Sequence, residues 1–88
     1  MDDETQIRTF MAEQDLLINQ DPLRVSAQFP LLESGALDSL GVFQLIRFLE
    51  NRYAFRIEWL DMTKATFNTI DDMVGLVRRK TAVNGLRK

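Results

Sequence analysis

The sequence predicts an all-α fold, a small four-helix bundle with three main helices, a short third helix and a long first loop. Two observations carry this. Apolar residues recur at helical spacing in three stretches, over residues 4–18, 39–53 and 70–77. The 88 residues, 45% hydrophobic and 27% charged, suit one small globular domain and no more. That domain is assigned to residues 1–88, with its core over about 4–80 and a flexible tail over 81–88.

The first stretch, residues 4–18, places Ile7, Phe10, Met11, Leu17 and Ile18 on one buried face. Asp2, Asp3 and Glu4 stand where negative charge favours a helix N-terminus. Asn19 to Leu37 reads as a long connection. Asn19-Gln20-Asp21-Pro22 is a stop and a turn signal, and Pro30 forbids a helical interior. A loop of this length in a compact domain is uncommon and usually functional. Leu23, Val25, Phe29, Leu31 and Leu32 are its expected anchors to the core.

Gly35-Ala36-Leu37-Asp38-Ser39-Leu40 breaks the chain and starts the central helix, Ser39 to about Tyr53. At 100° per residue, Val42, Leu45, Ile46, Leu49 and Tyr53 share one narrow buried sector. Leu40, Gln44, Arg47 and Asn51 lie opposite, with Phe43 at the edge of that strip. Leu40 and Phe43 are either ordinary surface apolar residues or part of a docking face. Either Asp38 or Ser39 can cap the unpartnered amides of the first turn.

Residues 54–66 hold a second loop with Ile57 in the core and one or two helical turns near Asp61-Met62-Thr63-Lys64-Ala65. Trp59, the sole tryptophan, packs against helix ends or, alternatively, lines a ligand path or a partner contact. Asn68 or Thr69 caps the last helix, Asp71 and Asp72 favour its first turn, and Ile70, Met73, Val74 and Val77 form its buried stripe. Gly75 permits close packing at a modest cost in helix propensity. The helix is expected to fray after Lys80, with Asn84-Gly85 as a terminator.

The missing residue types exclude whole classes of chemistry. Without cysteine there is no disulfide, thiolate metal site or cysteine nucleophile, and without histidine no Ser-His-Asp triad. Ser39 has no evident base, so it reads as a substrate for another enzyme rather than a catalyst; no catalytic residue and no metal site are expected. The acidic Met1-Asp2-Asp3-Glu4 start is the wrong flank for a secretory signal, and there is no long apolar run. A cytoplasmic protein that does not engage membranes is expected, and a monomer from its size and class.

Residues 1–38 carry eight acidic and two basic side chains, whereas residues 39–88 carry five acidic and nine basic. Arg78, Arg79, Lys80, Arg87 and Lys88 crowd the C-terminus. Cations there complement the helix dipole, and no aromatic residue is interleaved to stack on bases, so nucleic acid is not the expected partner.

Gly35 to Ile57 reads G-A-L-D-S-L-G-V-F-Q-L-I-R-F-L-E-N-R-Y-A-F-R-I. This stretch resembles the attachment region of acyl and peptidyl carrier proteins, and the helix layout is similar to theirs over roughly residues 4–80. The placement of Gly35 resembles free-standing carriers of the D-alanyl or peptidyl type more than fatty-acid synthase carriers. Glu50-Asn51-Arg52-Tyr53 and Phe67-Asn68-Thr69 are also similar to the D-alanyl pattern. The resemblance implies a bundle of acyl-carrier-protein type with a covalent 4′-phosphopantetheine, taken from CoA, on Ser39. It implies that Asp38 positions the site, and that Leu40, Phe43, Gln44, Arg47 and Glu50 form a partner-docking strip. The implied partners are a phosphopantetheinyl transferase, an adenylating acyl or aminoacyl ligase, and downstream acyl-transferring enzymes. In this sequence the strip carries Arg47, and Gly41 and Gln44 stand where fatty-acid carriers commonly place acids, which points to a dedicated partner. Substituting Ser39 is expected to abolish loading and to leave the fold nearly intact, apart from a cap loss of ~1 kcal/mol. The competing reading is a small helical interaction module without a prosthetic group, with Ser39 only a cap and Leu40 and Phe43 binding a partner directly.

Overall fold

A computed structural model describes residues 2–86, apart from the side chains at position 59 and from 83 onward. The reading of Trp59 as a packing or path residue, and the basic pair Arg87 and Lys88, lie outside these described residues. Four α-helices and one 3₁₀ turn follow in order: α1 (Asp3–Glu13), α2 (Ser39–Tyr53), η1 (Trp59–Asp61), α3 (Lys64–Phe67) and α4 (Ile70–Leu86). No strand occurs among the described residues, so the all-α bundle predicted from the sequence is the fold observed. No helix among them is long and apolar enough to cross a membrane.

α4 is the element against which α1, α2 and α3 all pack. Its Ile70, Met73, Val74, Leu76 and Val77 are buried, joined by Ile7 and Met11 of α1 and Leu45, Ile46 and Leu49 of α2. The predicted stripe of α4 is thus buried as expected. Its end differs: the backbone stays helical past Lys80 and through Asn84-Gly85 to Leu86. Thr69 opens it as the N-cap of a reciprocal capping box. Its Oγ1 accepts from Asp72 N at 3.0 Å while Asp72 Oδ2 accepts from Thr69 N at 3.2 Å.

α1 begins as expected, with the Asp2 carboxylate accepting from Thr5 N at 2.7 Å. It ends at Glu13, five residues before the predicted end at 18. Asp15 takes a left-handed conformation (φ 53°), Asp15 N donates to Ala12 O, and Leu16 N donates to Met11 O. These two bonds make a Schellman stop, a motif that usually places glycine where Asp15 stands. Leu17 is therefore buried from the loop rather than from the helix. Ile18 is 55% exposed, contrary to its predicted place in the core.

The long connection is held by specific bonds. Arg8 of α1 donates to Pro22 O at 3.0 Å and Val25 O at 2.7 Å, and pairs with Glu4 at 2.8 Å. Leu31 N donates to Asn68 O, and Asn68 Oδ1 accepts from Leu32 N and Glu33 N. Asn68 thus ties the loop to the α3–α4 junction, while Thr69 caps. Val25 and Leu31 are buried, and Phe29 and Leu32 pack against the core; Leu23, at 59% exposed, is not the anchor the sequence suggested.

Past α2, Ala54 in a left-handed conformation (φ 55°) turns the chain, and Phe55 and Ile57 return it to the core. Lys80 of α4 reaches Asp61 at 2.7 Å and so pins η1. Burial works against the Asp61 charge, but the bonds from Lys80 and from Glu58 N outweigh it and hold the carboxyl below the usual carboxylate range. This contribution is present at neutral pH and is lost only as pH falls through that lowered pKa.

Tyr53 Oη donates to Asp3 at 2.9 Å, joining the end of α2 to the start of α1. Burial, the bond to Asp3 and the Asp3 charge push the phenol up to about 12. Its stabilising effect is full below pH 10.0, the ordinary tyrosine value, and is lost as pH rises toward about 12. Tyr53 is the only tyrosine, so phenolate absorbance reads it alone. The expected midpoint is near 12 in the folded protein, moving toward 10.0 in Asp3→Asn. A wild-type midpoint at the ordinary value contradicts the contact.

Candidate functional site

The site is built at the start of α2. Gly35 (φ 81°) makes the turn that only glycine adopts without strain, and Leu37 N then donates to Leu31 O at 2.9 Å. This leaves Ala36 and Leu37 buried and Asp38 and Ser39 exposed. Gly41 packs closely on Leu37: a Cβ there would stand 2.6 Å from Leu37 Cδ1, so the end of that side chain would have to shift.

The sequence left the cap open between two residues. Asp38 is the N-cap, its Oδ1 accepting from Gly41 N at 2.9 Å, and Ser39 is the first helical residue. The Ser39 hydroxyl makes no hydrogen bond to any described residue. The ~1 kcal/mol cap contribution therefore belongs to Asp38 and not to Ser39. Asp38→Ala is expected to lower stability by about that amount. Urea unfolding checks it, and an unchanged midpoint contradicts it.

Two grooves flank the serine. One, of about 420 Å³, runs between α2 and the η1–α3 segment; Ser39, Val42, Phe43, Met62, Thr63 and Phe67 are among its walls. The other, of about 720 Å³, lies between α2 and α1 and is lined by Leu40, Phe43, Arg47 and the stacked Phe10–Phe48 pair, among others. Phe43 is the ridge between them.

Of the strip predicted for docking, Leu40 (64% exposed), Phe43 (55%) and Arg47 face outward, and Gln44 is half-buried beside them. Glu50 is half-buried, its Oε2 accepting from Ile57 N at 2.9 Å. The sequence reading missed the groove walls supplied by Met62, Thr63, Phe67, Phe10 and Phe48. Met62, Thr63, Phe67 and Phe10 come from segments remote in sequence from Ser39, and Phe48, although on α2, forms a wall only through its stacking on Phe10 of α1.

No family model matches the chain. A curated protein does: "Probable acyl carrier protein PigG" of Serratia sp. (strain ATCC 39006) is 34% identical over 58 residues, covering 66% of this chain and 67% of that protein. The chain belongs to the acyl carrier protein family. For an acyl carrier protein, a phosphopantetheine prosthetic group is implied. At the start of α2 the exposed Ser39 hydroxyl, with no hydrogen bond to any described residue, stands at a helix N-terminus, where a phosphodiester would be electrostatically favoured, and has an apolar groove alongside. The residues present fit the group.

Proposed function

We propose that this carrier protein bears a 4′-phosphopantetheine arm on Ser39 and presents acyl or aminoacyl groups to partner enzymes in a biosynthetic pathway, as a cytoplasmic monomer. The observation that carries the reading is the Ser39 hydroxyl: exposed, bonded to no described residue and first in α2, within Asp38-Ser39-Leu40 of a carrier family member. A serine without a base is a poor nucleophile on its own, so the chain is the substrate of a phosphopantetheinyl transferase using CoA and magnesium. The Ser39 Oγ–phosphorus bond forms, the pyrophosphate bond of CoA breaks, and adenosine 3′,5′-bisphosphate leaves; the hydroxyl proton passes to a base of the transferase. The arm supplies a thiol, which this chain lacks, and through it the capacity to hold thioesters.

The chain's own residues do the rest. Asp38 fixes the helix start through Gly41 N, and its second carboxylate oxygen is open to the transferase's metal. The groove beside Ser39 shelters apolar cargo from water. Leu40, Phe43, Gln44, Arg47 and Glu50 form the docking strip, with Glu50 also holding the loop after α2 through Ile57 N. An adenylating acyl or aminoacyl ligase loads the arm, and downstream acyl-transferring enzymes unload it.

The absence of cysteine makes the test direct. Incubation with CoA, magnesium and a permissive transferase, followed by removal of CoA, is expected to take the titratable thiol from zero to one per chain. A thiol count that stays at zero, on folded protein whose mass shows no arm already attached, overturns the reading.

A further inference from the structure

We infer that the groove between α1 and α2 docks an acidic protein surface, one that inserts an apolar side chain over the Phe10–Phe48 pair and sets carboxylates against Arg47 and Arg52. This rests on the carrier reading, because a partner seated there lies beside Ser39. The floor is the stacked pair, with ring centroids 4.2 Å apart. Leu40 and Phe43 form the opposite apolar wall, exposed by more than half.

The charge in the groove has one sign. None of the described residues lining it is acidic, and both charged ones among them are arginines. Arg47 makes no ion pair with any described residue. Arg52 donates through Nε to the neutral amide oxygen of Gln6 and makes no ion pair either. Glu50, the one acid of α2, is drawn to Ile57 N instead. Glu13 of α1 lines an adjoining hollow together with Arg52 but makes no ion pair with it. Two uncompensated guanidiniums flanking an apolar floor complement carboxylates flanking an apolar knob, and arginine holds carboxylates in a bidentate fork. A basic partner patch would meet like charge here.

Amide spectra of ¹⁵N-labelled protein test this with two synthetic amphipathic peptides of matched length, one Leu/Glu and one Leu/Lys. The Leu/Glu peptide is expected to shift the amides of residues 40–52 and of Phe10, more weakly as salt is raised. Arg47→Glu with Arg52→Glu is expected to weaken that binding on the order of tenfold. Arg47→Gln with Arg52→Gln gives a smaller loss should the reversed pair fold poorly. Absent binding, shifts elsewhere on the molecule, equal response to the Leu/Lys peptide, or indifference to both double substitutions overturns the inference. Tighter binding of single-stranded DNA or phosphatidylglycerol vesicles than of the Leu/Glu peptide, or closure of the groove by a second copy in sedimentation, also overturns it. The thiol titration of wild-type protein is read separately. A normal thiol count with no acidic preference removes only this inference, whereas no thiol removes the carrier reading beneath it.

Discussion

Ser39→Ala is expected to abolish arm attachment completely while shifting stability by no more than about 0.5 kcal/mol. The two halves of this result have separate physical origins. Attachment needs an oxygen nucleophile at the first residue of α2, and alanine has none. Stability is nearly unaffected because the Ser39 hydroxyl is exposed and bonds to no described residue, and alanine is a better helix former. The cap bond from Asp38 to Gly41 N remains in place. Intact mass after transferase treatment reads the first half, and urea unfolding reads the second. A variant that still gains the arm removes Ser39 from its role. A loss of stability near 1 kcal/mol would mean that Ser39, not Asp38, caps the helix.

Arg8→Ala is expected to cost about 2–4 kcal/mol, a large share of the stability of a domain this size. The guanidinium is largely buried, with 14% of its side chain exposed, and it donates to two loop carbonyls as well as to Glu4. Removing it leaves the carbonyl oxygens of Pro22 and Val25 without that donor. The first part of the long connection then loses its tie to α1. Arg8→Lys should recover only part of the loss, since one ammonium cannot reproduce the fork. Urea midpoints at constant m-value measure this. A loss below about 0.5 kcal/mol in Arg8→Ala would show that apolar burial alone seats the loop.

The features that the sequence made legible are those set by local pattern. The five apolar positions of α2 fall in one sector and the Asp38-Ser39 pair marks its start, so its bounds, Ser39–Tyr53, coincide with the prediction. Asn68 or Thr69 could be read as the cap of α4, and the structure assigns the role to Thr69 through its reciprocal bonds with Asp72. The departures arise where the chain relies on distant partners or uncommon backbone. α1 was predicted too long because Leu17 and Ile18 continue its apolar spacing, whereas the stop is an aspartate in the left-handed region, where pattern reading looks for glycine. The seating of the loop depends on Arg8 and Asn68, whose bonds span remote parts of the chain. The site was legible as a tripeptide, but its choice of cap and its two grooves needed the tertiary structure. The charge asymmetry of the docking face was half legible: Arg47 could be read as outward, while the turning of Glu50 toward Ile57 N could not.

The most direct measurement is the position of the arm. The chain has three serines, Ser26, Ser34 and Ser39. Protein treated with CoA, magnesium and transferase is fragmented, and the phosphopantetheinyl mass is located by tandem mass spectrometry. The account predicts it on Ser39 alone. An arm on Ser26 or Ser34, or no arm on any fragment of folded protein, contradicts it.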